Sequence, residues 1–176
     1  MEWWKQKLGI IKGFLFILIF LSSTYIGILI SGRYKNRVND LKEFKSTLNI
    51  MNTKIRYTYE PIGEICSEIS QMNDTNVGRL FGEITNGLKE RTITDAWNFA
   101  IDTYGNNFSK EDKHIIKSLG KMLGKTDIDG QVSEIAQAHE FLNVQIDKAE
   151  KDRQKNEKLY KSLGMVIGIA IIIILV

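Results

Sequence analysis

One proline, one cysteine and two histidines in 176 residues exclude more than they suggest. A lone cysteine, Cys66, forms no disulfide within the chain and fits a reducing compartment. No basic partner stands near it in sequence to lower its pKa, so it reads as core rather than as a nucleophile. His114 and His139 have no second metal-type residue at a ligating spacing, so a structural or exposed role is expected and no metal site is predicted. Outside the chain ends there is no alternating run of β-branched residues, which removes a sheet and any parallel-strand nucleotide fold. The single proline, Pro61, interrupts a pattern that is otherwise helical.

Charge of either sign is missing from two stretches, residues 13–32 and residues 163–176. Twenty residues at about 1.5 Å of rise give roughly 30 Å of helix, the thickness of a bilayer's hydrocarbon core. A signal peptide is the competing reading, since Lys5, Lys7 and Lys12 form a basic leader. The run exceeds the usual length, however, and no small-x-small cleavage site follows it. The second run alone gives only about 21 Å. Leu159 and Tyr160 extend it if Lys161 snorkels; the alternative is a buried helix that ends the fold.

The flanks set an expected topology. Arg33, Lys35, Arg37, Lys42 and Lys45 follow the first run, and Lys151, Arg153, Lys155, Lys158 and Lys161 precede the second. By the positive-inside rule the middle of the chain is cytoplasmic and both termini lie outside. The formal net charge of +3 is concentrated in these collars, because residues 40–149 carry 13 Lys/Arg against 17 Asp/Glu. The collars suit anionic lipid headgroups and serve equally as topology signals. Without a basic stripe in the middle, no nucleic-acid partner is expected. The expected organisation is an extracytoplasmic N-terminus and interface over residues 1–12, a transmembrane helix over 13–32, a helical bundle over 33–150, a basic stalk over 151–161 and a C-terminal membrane segment over 162–176.

Between the runs, apolar residues recur every three or four positions. Tyr34, Val38, Leu41, Phe44, Leu48, Met51, Ile55 and Tyr59 form the first stripe. Pro61 then opens a second helix at its first position, with Ile62, Ile65, Cys66, Ile69 and Met72 on one face. The polar residues 73–76 supply cap chemistry for a third stripe of Val77, Leu80, Phe81, Ile84 and Leu88. Thr92 with Asp95, and Ser109 with Asp112, resemble capping boxes for a fourth and a fifth helix. Their stripes are Trp97, Ala100, Ile101 and Tyr104, then Ile115, Ile116, Leu119 and Leu123. Gly105, Asn106 and Asn107 end the fourth helix, and Gly124 suits a left-handed close to the fifth. Thr126 is the expected cap of a long sixth helix, whose stripe runs from Ile128 through Val132, Ile135, His139, Leu142 and Ile146 to Ala149. Beyond Ala149 the apolar face dissolves while helix formers continue, the pattern of a stalk.

Motifs that carry chemistry fail on spacing. Gly120 and Gly124, before Lys125 and Thr126, leave three residues between the glycines where a phosphate loop needs four. Aligning Gly130 with the turn glycine of a calcium loop puts Lys125 and Ala136 at the first and last ligand positions. No catalytic residue, cofactor or metal is therefore expected. Trp97, Tyr34 and Tyr59 read as core, whereas Trp3 and Trp4 suit the membrane interface. Inside the runs, Ser22, Ser23 and Thr24 offer hydroxyls, and the pairs Ser23/Gly27 and Gly164/Gly168 permit close helix approach, with the partner left open.

In joint order, Trp3-Trp4-Lys5, Ser22-Ser23-Thr24 with Gly27, residues 41–57, Ala96-Trp97, the Leu119-Gly120 and Leu123-Gly124 pairs with Asp127 and Gln131, and residues 160–164 resemble the stage III sporulation protein AB family of endospore-forming bacteria. The chain departs from that pattern at Glu60-Pro61-Ile62, where the family has a small residue or threonine and then leucine around the proline. The resemblance implies an all-α, six-helix bundle similar to the cytoplasmic domain of the inner-membrane platform protein of type II secretion and type IV pilus systems, flanked by an N-terminal and a short C-terminal transmembrane helix. It further implies a non-enzymatic component of the assembly linking mother cell and forespore, in the mother-cell membrane. The partners it implies are a secretion-type ATPase and other protein subunits of the channel complex; membrane lipid is the partner the basic collars suggest, and a homo-oligomer is left open. The alternative from a different class is a membrane-tethered helical signalling or lipid-binding module.

Overall fold

The computed structural model describes residues 2–72 and 74–175, and for residues 2, 4–6 and 8–10 the backbone alone. Asn73 of the polar cluster and Val176 at the end of the second apolar run therefore lie outside the described residues, as do the side chains of Trp4 and Lys5. Among the described residues six helices follow in chain order: α1 (Glu2–Tyr57), α2 (Ile62–Met72), α3 (Asn76–Gly87), α4 (Ile93–Tyr104), α5 (Lys110–Met122) and α6 (Ile128–Leu175). No strand occurs among the described residues. The chain forms two compact units. One is Asn36–Ala149; the other joins residues up to Lys35 with residues from Glu150 onward.

The Asn36–Ala149 unit is built on the stripe of α1. Val38, Leu41, Phe44, Leu48, Met51 and Ile55 are all buried, as the spacing of three and four requires for a helix with one face inward. Phe44 is the hub of the core. It stacks on Phe81 of α3 at 5.8 Å and meets Trp97 of α4 and Phe108 edge-on at 6.3 and 6.0 Å. Phe81 and Trp97 close the group at 5.7 Å and 88°. Such pairs contribute about 0.5–1.5 kcal/mol each beyond their area. The indole Nε1–H of Trp97 donates to the Ile116 carbonyl at 2.8 Å, so the polar edge of this buried ring is satisfied. Gly120 is what lets α5 approach the ring: a Cβ there would stand 2.3 Å from Trp97 Cδ1.

Local chemistry starts and stops the helices. The Thr75 hydroxyl accepts the Gly78 amide, and the Thr92 hydroxyl accepts the Asp95 amide. Ser109 and Asp112 make the full reciprocal box. Gly124 takes φ of 74° and ends α5 in the left-handed region. Three sequence expectations are corrected. Asp127, not Thr126, caps α6, its Oδ1 accepting the Gly130 amide at 2.9 Å. Pro61 stands just before α2, its carbonyl accepting from Glu64 and Ile65, one position earlier than expected. Tyr59 is not core. It is 70% exposed with φ of 56°, because the chain reverses there to leave α1. Glu60, at the corner where the family pattern is broken, ion-pairs with Lys54 at 3.1 Å and closes that reversal. Met72 and Ile128, at stripe ends, are also exposed.

A polar edge of α1 fastens the loops of this unit. Arg37 grips Asp112 bidentately, Nε to Oδ2 at 2.8 Å and NH2 to Oδ1 at 3.1 Å, and reaches Gln145 of α6 at 3.3 Å. One turn on, Asp40 Oδ2 accepts from Asn76 at 3.2 Å and from Asn107 at 2.8 Å. Glu43 then receives the Thr75 hydroxyl, and Lys45 donates to Asn143. These carboxylates lie at the N-termini of α3 and α5, where the helix dipole favours negative charge.

Candidate membrane anchor and basic collar

The second unit is a pair of antiparallel helices, residues 2–35 of α1 and the part of α6 from Glu150 onward. The register follows from three contacts: Tyr34 stacks on Tyr160 at 5.8 Å, Gly27 meets Gly164, and Phe20 meets Gly168. A Cβ at Gly27 would stand 2.6 Å from the Tyr160 carbonyl oxygen, and one at Gly164 would stand 2.9 Å from that of Ser23. Neither position tolerates a side chain at this separation. The Ser23 hydroxyl donates to the Gly164 carbonyl at 2.7 Å, an interhelical bond that only such proximity allows.

The expected residues divide. Ser23, Gly27, Gly164 and Gly168 come together in one seam within the chain, whereas Ser22 faces outward and takes no part. The literal GxxxG is therefore occupied by α1 of the same molecule. Ser31 is a member that sequence reasoning missed. It is 2% exposed, its hydroxyl donating to the Ile28 carbonyl at 2.9 Å, and it continues the spacing of Ser23 and Gly27 by one more turn. That step of four was the available signal.

Away from the seam the helices are apolar and exposed. Phe14, Leu21 and Ile26 are 66, 61 and 56% exposed, and Ile173 and Ile174 are 70 and 82%. An apolar surface of this extent is too large to face water in a soluble monomer. Trp3 is exposed as well, with the Lys7 ammonium 4.0 Å above its ring.

The collar residues also divide. Arg37 belongs to the other unit and is committed to buried Asp112, which corrects its assignment to a collar. Arg153 and Lys161 both pair with Glu157, at 3.8 and 2.8 Å, and Arg153 also binds Glu150. Lys161, Arg153 and Lys35 together hold the Glu157 carboxyl below its usual range. Arg33, Lys35, Lys151, Lys155 and Lys158 are exposed.

A shared seam makes a direct test available. A Cβ at Gly168 would stand 3.4 Å from that of Ser23, at the short edge of disulfide spacing. Oxidation of the Ser23→Cys/Gly168→Cys protein is expected to give a cross-linked monomer on a non-reducing gel, and adding Gly27→Leu is expected to suppress it. A disulfide-linked dimer as main product would place this seam between copies. Cys66 will not interfere, since burial pushes its thiol up to about 12.

In the Asn36–Ala149 unit a groove of about 270 Å³ lies between α5 and α6, lined by His114, Ile115, Leu119, Ala138 and Phe141 among others. It is mostly apolar; Ser118, Glu134 and Gln137 line it beside His114, but among the described residues no hydrogen bond joins Ser118, His114 and Glu134 into a nucleophile, base and orienting group. His139 lies half-buried on α6; burial, then the charge of Lys45, lowers its pKa. Among the described residues no three His, Cys, Asp or Glu side chains converge as a metal site would need.

With this geometry in view, the profile of the family described as Stage III sporulation protein AB matches residues 12–176. A curated protein of that name from Bacillus subtilis (strain 168) is 24% identical over 163 residues, covering 90% of this chain and 95% of the relative. A solved structure of Stage III sporulation protein AB (SpoIIIAB) is similar in fold, with a TM-score of 0.62 at 20% identity, covering 68% of this chain and 98% of the other.

Proposed function

The chain belongs to the stage III sporulation protein AB family, and on that premise we propose that it is a non-enzymatic scaffold of a sporulation channel or secretion-like complex, anchored in the mother-cell membrane around the forespore. The Asn36–Ala149 unit faces the cytoplasm and docks a secretion-type ATPase and other membrane subunits. The observation that carries the anchoring is the helix pair of the second unit, apolar and exposed on its outside and sealed by glycines along its seam. A hairpin of this kind satisfies every backbone group internally, as hydrocarbon demands. Exposed cations at the ends of both apolar runs favour the cytoplasmic side for the rest of the chain.

Support for the ATPase is an analogy of fold with the platform protein of secretion systems, and so it rests on direct measurement. The full-length chain in mild detergent, immobilised through an N-terminal tag, is expected to retain the cognate purified ATPase. The Asp112→Ala protein, expected to be less stable because Arg37 loses its buried partner, is expected to retain it less well. No retention by a folded wild-type chain would remove the ATPase as partner while leaving the anchor intact.

A further inference from the structure

The two collars meet at one level, and their charges are unequally used. The register set by Tyr34/Tyr160 and Gly27/Gly164 places Lys158 and Lys161 beside the last turn of the α1 apolar run. Lys35 shares their side, since its charge reaches Glu157, which lines one cleft with Lys158 and Lys161; Arg33, two residues earlier on the same helix, points away from it. Lys35, Lys158 and Lys161 are all exposed. At about 1.5 Å per residue, Lys161 and Lys158 stand roughly 3 and 8 Å from Leu163, within about one Debye length of the apolar run. Lys155 and Lys151 stand roughly 12 and 18 Å away and fall outside it. Counter-charge is scarce: residues 33–35 and 150–161 hold seven Lys/Arg against three Asp/Glu. Glu157 is shared by Lys161, Arg153 and Lys35, and Arg153 is also paired with Glu150. Beside it a cleft of about 180 Å³ is lined by Arg153, Gln154, Glu157, Lys158 and Lys161.

We propose that Lys35, Lys158 and Lys161 form a clasp for the phosphate of an anionic phospholipid, with the stacked Tyr34 and Tyr160 rings holding its two halves together. This rests on the membrane-anchor reading and refines it. The occupant is a lipid rather than a soluble phosphate because apolar side chains continue directly from the cations. Ile28 and Leu29 on α1 are 48 and 53% exposed, and Leu159 and Leu163 on α6 are 43 and 42% exposed. Acyl chains would lie along these. The tyrosine pair adds amphipathic rings of the kind that favour the headgroup level. Lys151 and Lys155, equally exposed, take no part.

The test uses the full-length chain in neutral detergent with equal amounts of dioleoyl phosphatidylglycerol and dioleoyl phosphatidylcholine, bound lipid being counted by native mass spectrometry. Phosphatidylglycerol is expected to be retained at least about tenfold over phosphatidylcholine, with Lys35→Gln and Lys158→Gln each reducing the preference about fivefold. Lys151→Gln/Lys155→Gln is expected to leave the preference unchanged. Equal retention of the two lipids, or an equal loss from the Lys151/Lys155 variant, overturns the clasp. So does displacement by millimolar inorganic phosphate, which would make the site one for free phosphate. Alkaline carbonate washing of membranes separates the two readings. A chain that stays in the pellet but shows no lipid preference overturns the clasp alone, and one that washes out overturns the anchor with it.

Discussion

Replacing Asp112 by alanine is expected to destabilise the Asn36–Ala149 unit by about 3–5 kcal/mol. The carboxylate is fully buried and Arg37 is 14% exposed. Removing the acid leaves a guanidinium largely out of water with its bidentate partner gone, and it also removes the acceptor for the Ser109 amide at the start of α5. Both losses fall on one group, so the cost exceeds that of an ordinary cap. Thermal unfolding of the full-length chain in detergent, followed by circular dichroism, measures it. A loss below about 1 kcal/mol would show that water reaches Arg37 and that the pair is a surface one. Substituting both partners by apolar residues of similar volume should recover much of the loss, since the penalty lies in the orphaned charge.

The same group sets an acid limit. Burial pushes the Asp112 carboxyl up, but Arg37 and the Ser109 amide and hydroxyl together pull it further down, so it stays below the usual carboxylate range. A folded-state pKa below the unfolded value means that the stabilisation is complete above the ordinary aspartate range. It is lost as pH falls through the folded value. The wild-type chain should therefore lose stability in that acid window, and Asp112→Ala should show a smaller dependence there. An identical acid profile for the two would sink the assignment.

Trp97→Ala is expected to cost a similar amount, about 3–5 kcal/mol. The ring is fully buried, touches Phe44 and Phe81, and is the surface on which Gly120 of α5 lies. Its removal opens a cavity at the junction of α1, α3, α4 and α5, and glycine at 120 has no side chain with which to fill it. Trp97→Phe separates shape from polarity. It keeps most of the packing but loses the bond to the Ile116 carbonyl, and should cost about 1–2 kcal/mol. Denaturant midpoints of the three proteins decide the matter. An alanine variant within about 1 kcal/mol of wild type would mean that the core closes over the gap left by the indole.

Much of this architecture is legible in the sequence. Thr75, Thr92, Ser109 and Gly124 do their work within three or four residues, so their roles follow from local spacing. The buried stripes from Val38 to Ile55 and from Val77 to Ile84 follow from a period near 3.6 in the same way. Local reasoning was wrong by small steps where neighbours compete for one role, as with Thr126 and Asp127. At Tyr59 a periodic pattern outlasted the helix that produced it.

Long-range partnership lay beyond such reasoning. Arg37 stands among basic residues after an apolar run, and nothing within a few turns marks it as different from Arg33 or Lys35. Only folding brings Asp112 to it, 75 residues away. Ser23, Gly27, Gly164 and Gly168 were recognisable as surfaces for close approach, because small residues leave the backbone open, but that property is the same whatever helix arrives. From order and period alone came the six helices, most of their caps and the two long apolar runs. Tertiary structure decided which charges are spent inside the protein and which glycines face one another, because those depend on distances across the chain that no local pattern encodes.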